Sequence, residues 1–373
     1  MGERGHYTWG MDKERLSDVG IDVEDGAAGE PAGLTRLIVG MSRAGTTWVT
    51  KELSRHPEVV SYGETMVWGR KYLETDMDDG HDSAIRARER VLKVAEYIEE
   101  YVAYSKVDEM RERYDSGKLG HIPVETLELI AGDLRELMQS MKRSMTPAEV
   151  FHETNRVIGE RCGAEVVIES TPNHLNFLDR IFGAMPDALV VVMLRGPYAF
   201  MVSYKHQGDR KHPDTQRTFR RLYHPMICAM LWRRYAKSAR EAIKDHTGQV
   251  RTVWLDQLKK GGNDAMVQLA KFLEIPNAEF FAKDAERKSA TNTSFPGGKR
   301  PVLSEEDMFW MNLVAGGEMK RHGLTKTPAG FHPFAVLGSV LKLPISAFWV
   351  VWIMSSRIEG SRVGYAKRIL FGK

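Results

Sequence analysis

The stretch from Leu34 to Trp48, LTRLIVGMSRAGTTW, constrains the chain more than any other. An apolar run reads as a strand and enters a loop bounded by Gly40 and Gly45, which ends in the hydroxyls of Thr46 and Thr47. Four residues separate the glycines, the spacing of a phosphate-binding P-loop. The lysine that would follow Gly45 is replaced by Thr46, and a basic side chain, Arg43, sits inside the loop instead. A helix that starts near Thr46 points its first N–H groups at whatever fills the loop, and its dipole favours an anion there. Read alone, the segment is also compatible with a plain strand-to-helix turn in which Thr46 is the N-cap.

Composition narrows the partners. Of 373 residues, 42% are hydrophobic and 28% charged, which suits a soluble globular chain of one large α/β domain or two smaller ones. The 53 basic and 50 acidic residues leave a net charge of +3, so no global field recruits nucleic acid, while a local anion site stays open. Cys162 and Cys228 lie far apart without CxxC or Cys/His spacing, which points to neither a disulfide framework nor a zinc site and fits a reducing cytoplasm. Residues 1–33 lack the apolar run of a secretory signal and read as a flexible N-terminal arm.

Three further apolar, β-branched runs accompany the first strand: Glu165 to Ile168, Ala188 to Leu194 and Val250 to Leu255, each followed by helical sequence. Such runs alternating with helices predict a doubly wound α/β fold, a three-layer P-loop-like arrangement with a central parallel sheet and ligands at the strands' carboxyl ends. Residues 83–162 place apolar residues at three- and four-residue spacing among charges, a helical insertion within a main domain over 34–330.

Residues 331–373 form a separate extension. Pro333 to Met354 is almost wholly apolar with Lys342 as its only charge, and Arg357, Arg362, Lys367 and Arg368 follow. The run is long enough to span a bilayer, yet Gly338 and Pro344 interrupt it and Lys342 falls near its middle. An interfacial or docked helix is therefore favoured over a spanning one, with core packing or contact between copies as the remaining readings.

A second anion signal follows the run ending at Leu194. Arg195 leaves that strand at its carboxyl end, Pro197 suits the first turn of a helix, and Ser203 lies on that helix within reach of the same anion. Arginine supplies a fork for phosphate and serine a single donor.

Together these residues resemble the sulfotransferase family, its bacterial and glycan-type members more than the cytosolic small-molecule type. Ser42-Arg-Ala-Gly-Thr-Thr-Trp48 looks like the family's 5′-phosphosulfate loop, and Arg195 with Ser203 is similar to its 3′-phosphate motif. Trp254 to Leu258 and Leu269 to Pro276 resemble the family's fourth strand and the helix after it. The resemblance implies 3′-phosphoadenosine 5′-phosphosulfate (PAPS) as co-substrate, no metal, and sulfuryl transfer to an acceptor hydroxyl. By it, Arg43, Ala44, Gly45, Thr46 and Thr47 hold the 5′-phosphosulfate, and Arg195 and Ser203 fix the 3′-phosphate. Arg43 also neutralises charge on the departing bridging oxygen. Trp48 packs on the adenine or in the core. Lys299 and Arg300, within Ser294 to Arg300, resemble the basic loop that closes over the donor, with a solvated basic turn as the alternative.

The transfer also needs a base for the hydroxyl proton and gains from excluding water. Glu64 resembles the catalytic glutamate of tyrosylprotein and glycan sulfotransferases; cytosolic members use a histidine, and His56 is the nearby competitor. Ser170, in Glu169-Ser-Thr-Pro172, stands where glycan sulfotransferases carry a lysine, so that cation is missing or comes from elsewhere. Two other readings remain. One is a P-loop nucleotide kinase or NTPase, disfavoured by the absent Gly-Lys-Thr/Ser; the other is a non-catalytic nucleotide-binding protein associated with a membrane through its tail. The tail points to an acceptor on a lipid, glycolipid or glycan and to membrane-surface contact through residues 333–368. The expected location is then cytoplasmic with membrane association, and a homo-oligomer stays open.

Overall fold

A computed structural model of the chain describes residues 34–63, 68, 84–107, 119–142, 145–209, 213–283 and 301–355. Five strands form one parallel sheet: β1 (Arg36–Gly40), β2 (Val59–Gly63), β3 (Val166–Ser170), β4 (Leu189–Leu194) and β5 (Val250–Trp254). Their spatial order is β2-β3-β1-β4-β5. β1 past Arg36 and all of β4 are buried, as unbroken apolar runs covered on both faces must be.

β2 is the strand that apolar patterning does not single out, because Val59-Val-Ser-Tyr-Gly63 is short and carries two polar residues. Both are satisfied internally. The Ser61 hydroxyl donates to the Thr50 carbonyl at 3.1 Å, and the Tyr62 hydroxyl donates to Asn155 Oδ1 at 2.6 Å. A buried strand tolerates such groups only when they are paired.

α1 (Thr46–Leu53) joins β1 to β2, and the helical insertion follows as α2 (Ala84–Ser105), α3 (Val124–Ser140) and α4 (Pro147–Cys162). Val91, Val94, Ala95 and Ile98 bury one face of α2, and Leu127, Ile130, Ala131 and Leu134 bury one face of α3. That is the periodicity of an amphipathic helix. Arg135 clamps the Glu99 carboxylate across this pair with two bonds of 2.5 and 2.6 Å. α4 opens on a capping box between Thr146 and Glu149 and closes on the left-handed Gly163.

The second half contains α5 (Leu178–Ala184), α6 (Pro197–Lys205), α7 (Pro213–Leu222), α8 (Pro225–Asp245), α9 (Leu255–Lys260), α10 (Gly262–Phe272), α11 (Phe280–Lys283), α12 (Glu305–Arg321) and α13 (Pro333–Ser355). The interruption expected at Gly338 and Pro344 does not occur, since α13 runs through both. An internal proline removes a backbone bond at a cost of roughly 3 kcal/mol. Leu343, Ala347 and Val350 pack on Phe219, Leu222, Ile227 and Leu231, contacts that require the helical repeat to continue past Pro344.

The strand order fixes where a ligand can enter. From β1 the chain moves to β2 on one side, and from β4 it moves to β5 on the other, while β1 and β4 lie side by side. Their carboxyl ends therefore flank the switch-point crevice of the sheet. Gly40 makes the close approach possible: its φ is 138°, and a Cβ there would sit 2.2 Å from the Met193 carbonyl oxygen. Gly40→Ala is expected to destabilise the protein by about 3 kcal/mol or more through strain and overlap. Gly132→Ala, on the exposed side of α3 with nothing within 4 Å of the new Cβ, is expected to stabilise it by about 0.5–1 kcal/mol. Urea unfolding midpoints of the two variants check this pair.

Candidate functional site

Beyond Gly40 the chain turns through two left-handed residues, Arg43 (φ 67°) and Gly45 (φ 87°). The Ala44 N–H closes the turn on the Met41 carbonyl at 3.1 Å. Gly45 is required twice over, because a Cβ there would lie 2.7 Å from Leu255 Cδ1. α1 begins at Thr46 with Gly45, not Thr46, at the N-cap position, and no side chain caps it. The plain capped-turn reading is thereby corrected. Across the crevice, α6 starts in the same way: Gly196 is its N-cap, no side chain caps it, and Pro197 opens the helix. Two helix starts without side-chain caps at adjacent strand ends form an arrangement that suits a bound anion.

The two motifs read from sequence meet here. Arg195 donates from its guanidinium to the Arg43 carbonyl at 2.8 Å, and Arg43 Nε donates to the Ser203 hydroxyl at 3.3 Å. The backbone of Arg195 is fixed in turn, since the indole N–H of the buried Trp232 donates to its carbonyl at 2.9 Å. Ser203 is buried. Part of Arg43 still faces solvent, but desolvation at its guanidinium pulls its pKa below the ordinary arginine value. A bound anion would act in the opposite direction.

Ala44 is fully buried beneath the loop, and Thr46 is buried in the first turn of α1. Trp48 is half-buried and packs against the core, with the Lys259 ammonium 5.9 Å from its ring. Glu64, Lys299 and Arg300 lie outside the described residues, as do residues 1–33 and the basic positions beyond α13. Among the described residues no group of His, Cys, Asp and Glu has the arrangement of a metal site.

His56 is removed from this crevice. It precedes β2, at the amino ends of the strands, so about a strand length, ~16 Å, separates it from the loop. There it is buried, packs on the Phe280 and Phe281 rings at 5.0 and 5.7 Å, and accepts the Glu58 N–H through Nδ1 at 3.2 Å.

A buried pair that sequence reading does not single out stands at the carboxyl end of β3. His174 and Glu169 are both fully buried, with His174 Nδ1 3.0 Å from Glu169 Oε2. The Trp68 N–H donates to His174 Nε2 at 3.2 Å. Nε2 is therefore the acceptor, and Nδ1 carries the proton donated to the carboxylate. The Thr171 hydroxyl donates to the other Glu169 oxygen. Burial first, and the charge of Glu169 second, push the Tyr62 phenol well above its ordinary pKa. The pair thus fastens Trp68, downstream of β2, to the end of β3. Ser170 is fully buried beside it.

An open apolar cleft of about 510 Å³ lies against α6, lined in part by Gly196, Tyr198, Val202, Leu303 and Met308. Asp307 holds the far end of α6 in place. Lys205 donates to its carboxylate at 2.6 Å, the Tyr223 hydroxyl donates to the other oxygen, and Asp307 completes the capping box of α12 with Ser304. Burial acts to raise the Asp307 pKa, but the bonds from Lys205, Tyr223 and Ser304 prevail and hold it below the ordinary aspartate value. Its stabilising contribution is therefore complete above the ordinary aspartate range and is lost as pH falls through the depressed folded value. Asp307→Asn is expected to cost about 2 kcal/mol at pH 7. Unfolding curves recorded from pH 7 to pH 3 check this, and the gap between variant and wild type narrows at the acid end.

The sequence matches the model of the Sulfotransferase family over residues 37–279, while no curated protein matches it. Among solved structures, the sulfotransferase domain of the Synechococcus PCC 7002 olefin synthase is 13% identical, with 87% of this chain and 98% of that one covered at a TM-score of 0.42. A sulfotransferase from Alicyclobacillus acidocaldarius is 14% identical, with 78% and 94% covered at a TM-score of 0.42. The sulfotransferase domain from the curacin biosynthetic pathway is 11% identical, with 83% and 97% covered at 0.41. Because the family match spans the loop after β1, the Arg195–Ser203 segment and β5, the chain belongs to the sulfotransferase family.

Proposed function

We propose that this sulfotransferase moves a sulfuryl group from PAPS to a hydroxyl of a lipid, glycolipid or glycan acceptor. Family membership carries the reaction class. One observation supports the choice of donor: Arg195 contacts the Arg43 carbonyl while Arg43 contacts Ser203, which gathers two guanidinium groups and two helix starts around one crevice. A nucleotide with phosphates at two separate positions fits this pair of cradles. A triphosphate fits less well, since no lysine follows Gly45.

The donor supplies a sulfuryl group on a phosphate leaving group, whose bridging oxygen gains negative charge during transfer. The first N–H groups of α1 with Thr46 and Thr47 bind the 5′ side, and Arg43 neutralises the developing charge. Arg195 and Ser203 hold the 3′-phosphate. Glu64 accepts the proton of the acceptor hydroxyl. Lys299 or Arg300 supplies further positive charge to the donor. The acceptor class is supported by the exposed apolar side chains of α13.

A sulfuryl-transfer assay with purified variants separates these roles. Arg43→Ala and Arg195→Ala each remove a charge-assisted contact worth about 1.5–3 kcal/mol, so donor affinity is expected to fall roughly 10- to 100-fold. Glu64→Ala is expected to lower kcat by about 10²–10⁴ with little change in donor KM. Undiminished sulfation in all three variants, or magnesium-dependent ATP turnover by the wild type, would overturn the reading.

A further inference from the structure

We propose that α13 is a monotopic membrane anchor that lies in the surface of an anionic bilayer, with one apolar stripe inserted and the opposite stripe clamped to the domain. The clamp is built from side chains at helical spacing. Ser339 accepts the Trp310 indole N–H at 2.8 Å through its hydroxyl, and its carbonyl lies 3.0 Å from His224 Nε2, which donates to it. Leu343, Ala347 and Val350 continue the same face onto Phe219, Leu222, Ile227 and Leu231 of α7 and α8. The Arg221 guanidinium packs 5.0 Å above the Trp349 ring at the edge of this contact.

Among the described residues the other face shows no comparable packing. Phe334, Leu337, Leu341, Ile345, Phe348 and Trp352 recur every three or four residues and are 48–89% exposed. The stripe runs about 27 Å along the helix. An exposed apolar surface of that extent marks an interaction site. By length and hydropathy, Pro333–Trp352 would also pass as a membrane span, with mean hydropathy 1.9. The clamp argues against a crossing, which would strip Ser339 of two hydrogen bonds and separate the helix from α7 and α8. A helix held parallel to the domain surface, apolar on its outer side, fits the boundary of a bilayer instead.

Charge selects the occupant. α7, packed beside α13, carries Arg217, Arg220 and Arg221 exposed along one border. The exposed Lys342 sits on α13 itself, and a lysine beside an apolar stripe keeps its ammonium in the headgroup layer while its stem covers apolar surface. Anionic headgroups neutralise this border. An isologous pairing of two copies through the stripe would instead bring like-charged borders together.

Co-flotation of the full-length protein with lipid vesicles tests the proposal without reference to turnover, so loss of sulfation with retained flotation refutes the enzymatic reading alone. Wild-type protein is expected to float with phosphatidylcholine vesicles that contain about one-third phosphatidylglycerol, less with phosphatidylcholine alone, and less as salt rises. It is also expected to leave the vesicles on alkaline carbonate washing. Leu341→Asp with Phe348→Asp should cut vesicle binding by roughly tenfold or more with an unchanged thermal melt. Arg217→Gln with Arg220→Gln should abolish the preference for anionic vesicles. Three results would each overturn the proposal: no flotation, resistance to carbonate as for a spanning helix, or a stable dimer that ignores vesicles and becomes a monomer on Phe348→Asp.

Discussion

The structure depends on how closely β1 and β4 approach at their carboxyl ends. Gly40 lies opposite Met193 without a side chain to hold the strands apart, and the Met41 N–H carries the pairing one step further onto the Met193 carbonyl at 3.0 Å. From that point the two chains diverge into loops that meet again, because Arg195 bonds the carbonyl of the left-handed Arg43. A residue other than glycine at positive φ is strained, and here a guanidinium from a neighbouring strand holds it in place. α1 and α6 then both start at glycines that offer no capping side chain. Both starts border one crevice, a backbone geometry that suits negative charge.

Around this rigid centre, buried polar groups do the positioning. Asp307 joins the end of the Ser203 helix to the start of α12, and α12 joins α13 through Trp310 and Ser339. Glu169 and His174 tie Trp68 to the end of β3 on the opposite side of β1. In each case the polar groups are paired, as low-dielectric burial demands. The surface proposed to face a membrane is thus linked, element by element, to the helix that carries part of the proposed anion site.

Much of this was legible in the sequence, for physical reasons that can be named. β1 and β4 are unbroken apolar runs because both faces of a parallel sheet are covered there, whereas the edge strand β5 is buried only at Val250, and the glycine-bounded loop announced itself because tight turns and close approaches require glycine. Arg195 and Ser203 were placed with the loop because residues at adjacent carboxyl ends share one crevice. β2 was hidden by Ser61 and Tyr62, whose partners Thr50 and Asn155 lie on other elements and show no local signature. His56 is near Glu64 along the chain, but its His-Pro step reads as a helix end, and it does follow α1 and precede β2. The Glu169–His174 pair depends on a Thr-Pro turn and on Trp68, a long-range arrangement that residue spacing does not encode. Pro344 suggested a break in α13 because propensity is local, whereas the packing of Leu343 and Val350 on neighbouring helices is not.

The central claim is that two cradles, one at the loop after β1 and one at Arg195 and Ser203, recognise two separated phosphates. Calorimetric titration of the desulfated donor, 3′-phosphoadenosine 5′-phosphate, against adenosine 5′-phosphate tests it most directly. The bisphosphate is predicted to bind at least about tenfold more tightly, and Arg195→Ala should erase that advantage while leaving the affinity for the 5′-monophosphate largely intact. Equal affinity of the wild-type protein for both nucleotides would contradict the account.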